Sequence, residues 1–181
     1  MSIDTTEIIL VNEFDDEIGT GEKLWVHQEG LLHRAFSVLI FNEDNELLIH
    51  QRALDKYHSG GLWTNTCCGH PNAGEEIQEA AVRRLREEMG FTSDLSFLYR
   101  FSYKVSFENG LVENEIDHVF VGTYEGDFEV DPAEVVDYKW VSVPKILKDV
   151  KHSSAEYTYW FKEILKSEAF QDFVSADYEL T

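Results

Sequence analysis

The chain has 181 residues, of which 43% are hydrophobic and 13% aromatic, so one globular domain with a full core is expected over residues 1–181. It carries 35 Asp and Glu against 15 Lys and Arg. The resulting net charge of −20 disfavours nucleic acid and anionic membranes as partners. No apolar run approaches the roughly 20 residues of a membrane span. The short acidic N-terminus is neither a signal nor a transit peptide, and we expect a cytoplasmic protein.

Two cysteines, Cys67 and Cys68, are neighbours in the sequence. Adjacent cysteines form a disulfide only with strain, so both are expected as free thiols. Free thiols persist in reducing compartments, which agrees with the cytoplasmic location.

In chain order, the pattern is strands alternating with two or three helices, without a linker or repeat. Predicted strands share β-branched, aromatic or aliphatic runs bounded by turn formers, and they cover 7–12, 34–42, 46–52, 62–67, 95–107, 111–124 and 137–141. Glycines 19, 21 and 30 predict a loop between the first two strands. Residues 108–110, ENG, predict a turn that makes the fifth and sixth strands antiparallel. This pattern indicates an α/β (α+β) fold, a mixed β-sheet flanked by helices.

Three segments are predicted to be helical. In the first, Gly74-Glu75-Glu76 opens an acidic first turn, an apolar stripe repeats every three or four residues, and Gly90 ends the helix. The second follows Ser142 as N-cap and runs to about Val150. Another begins at Ser153 or Ser154 and carries the apolar residues of the C-terminal tail.

A pair of acidic residues, Glu113 and Glu115, stands early in a predicted strand. Side chains alternate along a strand, so both carboxylates face one way and Asn114 faces the other. On a buried face the two acids raise each other's pKa unless a cation lies between them. The alternative is an exposed edge strand with solvated acids.

Residues 69–91 resemble the Nudix box, G-x5-E-x7-R-E-U-x-E-E-x-G-U, where U is apolar. Gly69 and Glu75 match its first fixed positions, and RRLREEMGF at 83–91 supplies the rest. The match departs at Arg84, where Nudix hydrolases have a glutamate that serves metal binding and catalysis. A guanidinium neither binds a divalent cation nor accepts a proton, so ordinary diphosphohydrolase chemistry is disfavoured.

Two further segments, TNTCCGHP at 64–71 and GLVENEID at 110–117, are similar to type I isopentenyl-diphosphate isomerases, a family with the Nudix fold. The resemblance runs from about Glu22 to Trp160. It implies interconversion of isopentenyl diphosphate and dimethylallyl diphosphate in isoprenoid biosynthesis, without a redox cofactor.

The resemblance also implies one divalent metal, Mn²⁺ or Zn²⁺, held by three histidines and two glutamates. These ligands are His27, His33, His70, Glu113 and Glu115. Imidazole and carboxylate ligands together suit such ions. Taken alone, scattered histidines are more often core or surface residues than metal ligands. We expect such a structural or surface role for His50, His58, His118 and His152.

For catalysis, the resemblance implies that Cys68 and Glu115 are opposed proton-transfer groups. Tyr103 is expected to hydrogen-bond the catalytic carboxylate, and Trp160 to stabilise the carbocation through its indole face. A thiol in a glycine loop before a helix is expected to have a lowered pKa. The alternatives are a small buried hydrophobe for Cys68 and core packing for Trp160.

The diphosphate is expected to meet four basic residues, which by resemblance are Lys23, Arg52, Lys56 and Arg84. A guanidinium binds phosphate oxygens through two parallel hydrogen bonds, so phosphate binding explains an arginine at position 84. By resemblance, Glu88 and the backbone carbonyl of Cys68 hold a Mg²⁺ that is shared with the diphosphate. The alternative for each basic residue, taken singly, is a solvated side chain on the protein surface.

Three functions follow from these residues. The isomerase needs the proton-transfer pair and Trp160 in one apolar pocket. A Nudix diphosphohydrolase acting on a nucleoside diphosphate derivative needs a replacement for the glutamate missing at Arg84. A catalytically silent Nudix-fold binding protein ranks last, because the proton-transfer set is complete. The sequence does not indicate the oligomeric state.

Overall fold

A computed structural model of the chain describes residues 6–179, with side chains through residue 176. The first five residues, on which part of the N-terminal expectation rests, lie outside the described range, as do residues 180–181. The described strands are β1 (Glu7–Val11), β2 (Glu17–Glu22), β3 (His33–Phe41), β4 (Glu46–Arg52), β5 (Trp63–Thr64), β6 (Cys67–Gly69), β7 (Ser96–Ser106), β8 (Val112–Thr123) and β9 (Val135–Ser142). The helices are α1 (Lys23–Glu29), α2 (Ile77–Met89), α3 (Val143–His152), α4 (Tyr159–Lys166) and α5 (Glu168–Glu179), with a 3-10 turn at Ser154–Glu156.

Strand β3 lies at the centre of the sheet. It runs parallel to β8, in a register that begins with His33 opposite Glu115. It pairs antiparallel with β1, β4 and β6. β7 and β8 form the predicted antiparallel pair, and β9 adds to β4. The predicted mixed sheet is therefore confirmed.

Alternate residues of β3 face two separate cores. Phe36, Val38 and Ile40 pack with the apolar stripe of α2. Leu39 and Phe41 pack with helices α3 to α5 on the other face of the sheet. The polar residues His33 and Ser37 share the second face with Leu39, because side chains alternate along a strand. One face thus carries apolar core at one end and buried polar groups at the other.

Helix α2 has the predicted stripe and end but begins later than expected. Glu76 is its N-cap, so the helix starts at Ile77. Glu75 lies before it and accepts hydrogen bonds from the Arg83 Nε at 2.7 Å and the Asn72 amide at 2.9 Å. Gly90 ends α2 with φ of 80°, and a Cβ there would lie 2.1 Å from the Glu129 carbonyl oxygen. Only glycine fits that C-cap.

The predicted loop between the first two strands was wrong, because residues 17–29 form β2 and α1. Glu22 caps α1 by accepting from the amides of Leu24 at 2.8 Å and Trp25 at 3.1 Å. Gly30 ends it with φ of 65°. The glycines within β2 are tolerated because β2 pairs with β1 at the sheet edge.

Two other element predictions also need correction. The single strand expected at 62–67 is two short strands, since β5 pairs with β4 whereas β6 pairs with β3. The helical C-terminal tail is broken at Ser167, which lies outside the helical region and separates α4 from α5. Among the described helices, none has the length and apolar character needed to cross a membrane.

Candidate active site

A cavity of about 560 Å³ opens at the polar end of β3 and β8. It is lined by every sequence-predicted site residue except His33, which is fully buried. The predicted residues around it are Lys23, His27, Arg52, Lys56, Cys68, His70, Arg84, Glu88, Tyr103, Glu113, Glu115 and Trp160. Residues that are up to 137 positions apart therefore surround one space, from Lys23 to Trp160.

Four potential metal ligands converge on one side of this cavity: His27 of α1, His33 of β3, His70 after β6 and Glu115 of β8. One ligand atom from each lies within 4.8 Å of those of the others. The parallel pairing of β3 with β8 brings His33 beside Glu115. The α1 helix, which sequence reasoning missed, carries His27 into the same space.

Hydrogen bonds to the backbone orient two of these imidazoles. The Nδ1 of His27 lies 2.7 Å from the Lys23 carbonyl, and the Nδ1 of His33 lies 2.8 Å from the Leu31 carbonyl. A carbonyl oxygen only accepts, so each Nδ1 carries the proton. On each ring Nε2 is then the nitrogen left to bind a metal ion, which it can do when the ring is neutral.

The carboxylate of Glu115 faces two of these rings. Its Oε1 lies 3.2 Å from the His33 Nε2 and 2.8 Å from the His70 Nε2. A lone pair on His33 facing a carboxylate is repulsive unless a proton or a cation lies between them. The donor set of imidazoles and carboxylate therefore fits a divalent cation.

Burial sets the charge of the histidines. It lowers the pKa of His27 to about 4 and that of His70 to about 3. Burial is the largest influence on His33 and acts against its protonation, but the hydrogen bond and charge of Glu115, the Leu31 carbonyl and the charge of Glu113 together outweigh it and raise the pKa of that ring. The same hydrogen bonds from His33 and His70 overcome burial at Glu115 and hold the pKa of that carboxyl well below its usual range. His27 and His70 are therefore neutral imidazoles beside an ionised Glu115, a combination of groups that suits a metal ion.

Glu113, the fifth predicted ligand, lies beside the four-residue group rather than within it. Its potential ligand atom is grouped with those of His27 and His58. The Tyr103 hydroxyl bridges the two acids, 2.8 Å from the Glu113 Oε2 and 2.7 Å from the Glu115 Oε2. Burial and the neighbouring Glu115 raise the pKa of Glu113.

Cys68 lies in β6, not in a loop at a helix start, and its expected low pKa was wrong. Burial raises the pKa of the Cys68 thiol to about 12, although the nearby Arg52 guanidinium opposes this shift. The Arg52 Nη1 lies 3.9 Å from the sulfur. At neutral pH the residue is therefore an uncharged thiol. Its cross-strand partner is Ser37, which lines the same cavity.

Trp160 extends from α4 to the cavity wall. Its indole Nε1 donates to the Asn65 Oδ1 at 3.2 Å, which fixes the ring orientation. The Arg52 guanidinium lies 5.2 Å from the ring centroid, within the range of a cation–π contact. The indole face is thus available to positive charge in the cavity, and the residue also contributes to the core.

Two basic residues at the other end of the cavity, Arg84 and Lys56, are paired with acids of the chain. Arg84 contacts Glu88 and also Glu87, at 2.6 Å. Lys56 pairs with Glu134, which is also 3.5 Å from Arg84. Two of the four cations expected to bind a diphosphate therefore have protein counter-charges in this structure, whereas Arg52 contacts the His58 carbonyl and the Cys68 sulfur.

Sequence reasoning missed two residues of the cavity. His58, expected to be structural or on the surface, lines the cavity and lies 3.0 Å from Glu113. Asp117 continues the alternation of Glu113 and Glu115, and that period of two was the signal for it. Burial and Glu115 raise the pKa of Asp117 well above its usual value, and Ser37 donates to it at 2.7 Å. No spacing in the sequence indicated His58.

The other histidines are structural or on the surface, as expected. The Nδ1 of His50 lies 2.9 Å from the Thr66 carbonyl within the core. His118 contacts Asp15 at 2.8 Å, in a polar cluster with Arg34 and Arg100. His152 is exposed at the end of α3.

Comparison with known proteins agrees with this geometry. The NUDIX domain model matches residues 31–161. An isopentenyl-diphosphate Delta-isomerase 2 of Photorhabdus laumondii is 45% identical over 91% of this chain and 93% of its own length. An isopentenyl-diphosphate Delta-isomerase of Burkholderia multivorans is 47% identical over 85% of this chain and 88% of its own. The chain belongs to the isopentenyl-diphosphate Delta-isomerase family.

Solved structures support the fold assignment. A MutT protein from Methanosarcina mazei Go1 superposes with a TM-score of 0.64 at 23% identity, over 81% of this chain and 95% of that one. DR0079 from Deinococcus radiodurans superposes with a TM-score of 0.68 at 18% identity, over 84% of this chain and 91% of that one. The curled mixed sheet with helices on both faces is thus the Nudix fold, as the box predicted. Within it, this isopentenyl-diphosphate Delta-isomerase family member has Arg84 at the box position that departs from the pattern.

Proposed function

We propose that the chain, as a single domain over residues 1–181, is an isopentenyl-diphosphate Delta-isomerase, interconverting isopentenyl diphosphate and dimethylallyl diphosphate in isoprenoid biosynthesis. The observation that carries this proposal is the meeting of Cys68, Glu115 and Trp160 at one cavity. A thiol that is protonated at neutral pH and a carboxylate that is ionised supply one proton donor and one proton acceptor.

The reaction moves a double bond by adding one proton and removing another. Protonation of the alkene terminus leaves a tertiary cation at C3, and loss of a C2 proton then forms the new double bond. Cys68 and Glu115 are the two proton-transfer groups, and each serves as acid in one direction of the reversible reaction. The indole face of Trp160 stabilises the cation between these steps. Tyr103 holds Glu115 in place by its 2.7 Å hydrogen bond.

The diphosphate binds at the basic end of the cavity. Lys23, Arg52, Lys56 and Arg84 line that end and bind its oxygens. Since Arg84 and Lys56 are held by Glu88 and Glu134, the incoming phosphate oxygens exchange with these carboxylates. Glu88 and the Cys68 carbonyl would then be the protein oxygens that hold a Mg²⁺ bound with the diphosphate, which suits the preference of Mg²⁺ for oxygen ligands.

A second divalent ion, Mn²⁺ or Zn²⁺, belongs at His27, His33, His70, Glu113 and Glu115. When bound, it supplies a fixed positive charge that tunes the protonation of Glu115. The clustering of one ligand atom each from His27, His33, His70 and Glu115 within 4.8 Å supports this assignment. The substrate is a small molecule, and the net charge of −20 argues against nucleic acid and anionic membranes as partners. The free cysteines agree with a reducing, cytoplasmic location.

The test is to incubate the purified protein with isopentenyl diphosphate and Mg²⁺ in deuterated water and to follow the products by NMR. We expect dimethylallyl diphosphate that carries deuterium. Folded, metal-loaded protein that gives neither product nor deuterium exchange would refute the isomerase. Release of phosphate from a nucleoside diphosphate derivative would instead support a Nudix diphosphohydrolase, which the basic Arg84 disfavours.

A further inference from the structure

The loop of residues 53–62, which joins β4 to β5, crosses the rim of the cavity. It carries Lys56 of the basic end and His58. The Lys56 ammonium pairs with Glu134, and the Tyr57 carbonyl accepts from the Asn109 Nδ2 at 2.6 Å. The 53–62 loop therefore lies between the diphosphate end and the hairpin that joins β7 to β8.

His58 is the residue of this loop that reaches the histidine cluster. Its Nε2 lies 3.0 Å from the Glu113 Oε1, and the two side chains are only 9% and 6% exposed. Its Nδ1 lies 3.2 Å from the Ser59 hydroxyl, which can donate to it. With Nδ1 as acceptor, Nε2 carries the proton and donates to the Glu113 carboxylate.

The ring and backbone of His58 are also held in place. The imidazole stacks on Phe107 with centroids 4.3 Å apart and planes 9° from parallel. It meets Trp160 edge to face at 6.0 Å. Its carbonyl accepts from the Arg52 Nη2 at 3.3 Å. These contacts fix the direction of the Nε2–H bond, so His58 presents a preoriented donor rather than a mobile one.

Glu113 has few other partners to orient it. Its Oε2 contacts the Tyr103 hydroxyl, but that hydroxyl has one proton and also contacts Glu115. The Oε1 contact of Glu113 that the structure shows is with His58. Glu113 is also the acid outside the four-residue ligand group. Its position relative to an ion therefore depends on the donor at residue 58.

We propose that His58 is a positioning residue for the metal centre: its Nε2–H holds Glu113 in the ligand orientation and fastens the 53–62 loop to that centre. Hydrogen-bond partners that orient metal ligands typically change metal affinity by 10- to 100-fold when removed. Because the same loop carries Lys56, His58 links the metal end of the cavity to the diphosphate end. This inference rests on the metal site of the proposed function, not on the isomerase chemistry.

Two substitutions separate hydrogen bonding from packing. His58→Phe keeps a flat ring to stack on Phe107 but has no donor. His58→Gln loses the ring but places an amide N–H the same number of bonds from the backbone as the imidazole Nε2. His152→Phe is the matched control, because His152 is exposed and bonded to its own helix at the Lys148 carbonyl. Thermal melts establish that each variant is folded.

The first readout is the affinity of metal-free protein for Mn²⁺, measured from the electron paramagnetic resonance signal of the free ion without substrate. We expect His58→Phe to weaken binding by about 10- to 100-fold, with His58→Gln and His152→Phe close to wild type. Equal affinities for His58→Phe and wild type would overturn the proposal. Equal losses in the Phe and Gln variants would also overturn it, since they would indicate ring-specific packing or direct ligation by the imidazole.

The second readout needs no metal. Amide hydrogen exchange in the 53–62 loop of the metal-free protein should be faster in His58→Phe than in wild type or His58→Gln. Unchanged exchange would remove the fastening role. Both readouts are independent of turnover, so a protein that fails the deuterium test can still support this role, and an active isomerase can still refute it.

Discussion

The two ends of the cavity differ in the partners that hold their side chains. At the histidine end, backbone carbonyls hold the Nδ1 atoms of His27 and His33, and one ligand atom from each ring lies within 4.8 Å of those of His70 and Glu115. At the basic end, Arg84 and Lys56 are paired with Glu88 and Glu134. The first end is preorganised for its ligand, whereas the second must exchange partners before it binds.

The difference follows from the free energy needed to bury each set of groups when no metal ion or diphosphate is bound. His27 and His70 can be buried without a counter-charge, because burial lowers their pKa and keeps both rings neutral. A guanidinium stays charged, so a nearby anion stabilises it in a partly buried site, as Glu88 does for Arg84. In a chain with 35 acidic residues, carboxylates are readily available for that purpose. Without an ion, the neutral His27 ring therefore needs no counter-charge, whereas the charged Arg84 lies beside Glu88.

The largest effect should come from the groups between the two ends. We expect Cys68→Ala and Glu115→Gln each to lower the isomerisation rate by about 10²- to 10⁴-fold, because each removes a proton-transfer group. The rate is measured by NMR under saturating isopentenyl diphosphate. Cys67→Ala, the buried neighbour in the α2 core, is the matched control and should keep most activity. A Cys68→Ala enzyme as active as this control would exclude the thiol from the mechanism.

Metal removal tests whether the histidine end is built for a cation. An ion present at 100 times its Kd stabilises the folded state by about 2.7 kcal/mol. For a chain of this size, each kcal/mol shifts the Tm by about 2–4 °C, so chelation should lower it by about 5–10 °C. A Tm that is the same with chelator and with added Mn²⁺ would contradict a metal site here. His33→Gln should remove most of the shift.

Replacing Arg52 by Lys tests the basic end. Arg52 contacts the His58 carbonyl at 3.3 Å and lies 3.9 Å from the Cys68 sulfur, so its planar fork serves several partners at once. Lysine keeps the charge but not the fork. Loss of a charge-assisted hydrogen bond costs about 1.5–3 kcal/mol, so we expect KM to rise about 10- to 100-fold. Arg100→Lys, an exposed arginine paired with Asp15, should leave KM unchanged.

The smallest expected effect is at the aromatic wall. Trp160→Phe keeps an aromatic face but weakens the cation–π interaction and removes the hydrogen bond to Asn65. A cation–π contact contributes about 0.5–2 kcal/mol, so we expect kcat to fall about 2- to 30-fold. Trp140→Phe, packed against the other core, serves as the control. Equal kcat in the two variants would assign Trp160 to packing alone.

Much of the fold follows from local pattern. The antiparallel pair β7–β8 and the box helix were predicted because alternating and helical periods are strong over ten or more residues. β2 and α1 were missed because the glycines of β2 indicated a loop and α1 has only seven residues. The edge strand β2 is stabilised by pairing with β1, and α1 is capped by Glu22. The pattern of so short a segment does not indicate these interactions.

The residues of the candidate site likewise divide into those that the sequence indicated and those that only the tertiary structure revealed. Resemblance to the isomerase family indicated the histidines and the basic residues, whereas spacing alone indicated that Glu113 and Glu115 share one face of a strand. His58 was not found, since its role depends on the closure of the 53–62 loop over the cavity. The pKa of Cys68 was predicted in the wrong direction because the sequence shows the nearby glycines but not the burial.

By itself, the sequence determined the family resemblance, the mixed sheet and the identity of the groups that surround the cavity, since these depend on residue type and spacing along the chain. The tertiary structure alone decided the tautomers of His27 and His33, the protonation of Cys68 and the pairing of Glu113 with His58. Those properties depend on distances of a few ångströms between residues far apart in sequence and on exclusion of water around them. Neither is encoded within one segment of the chain.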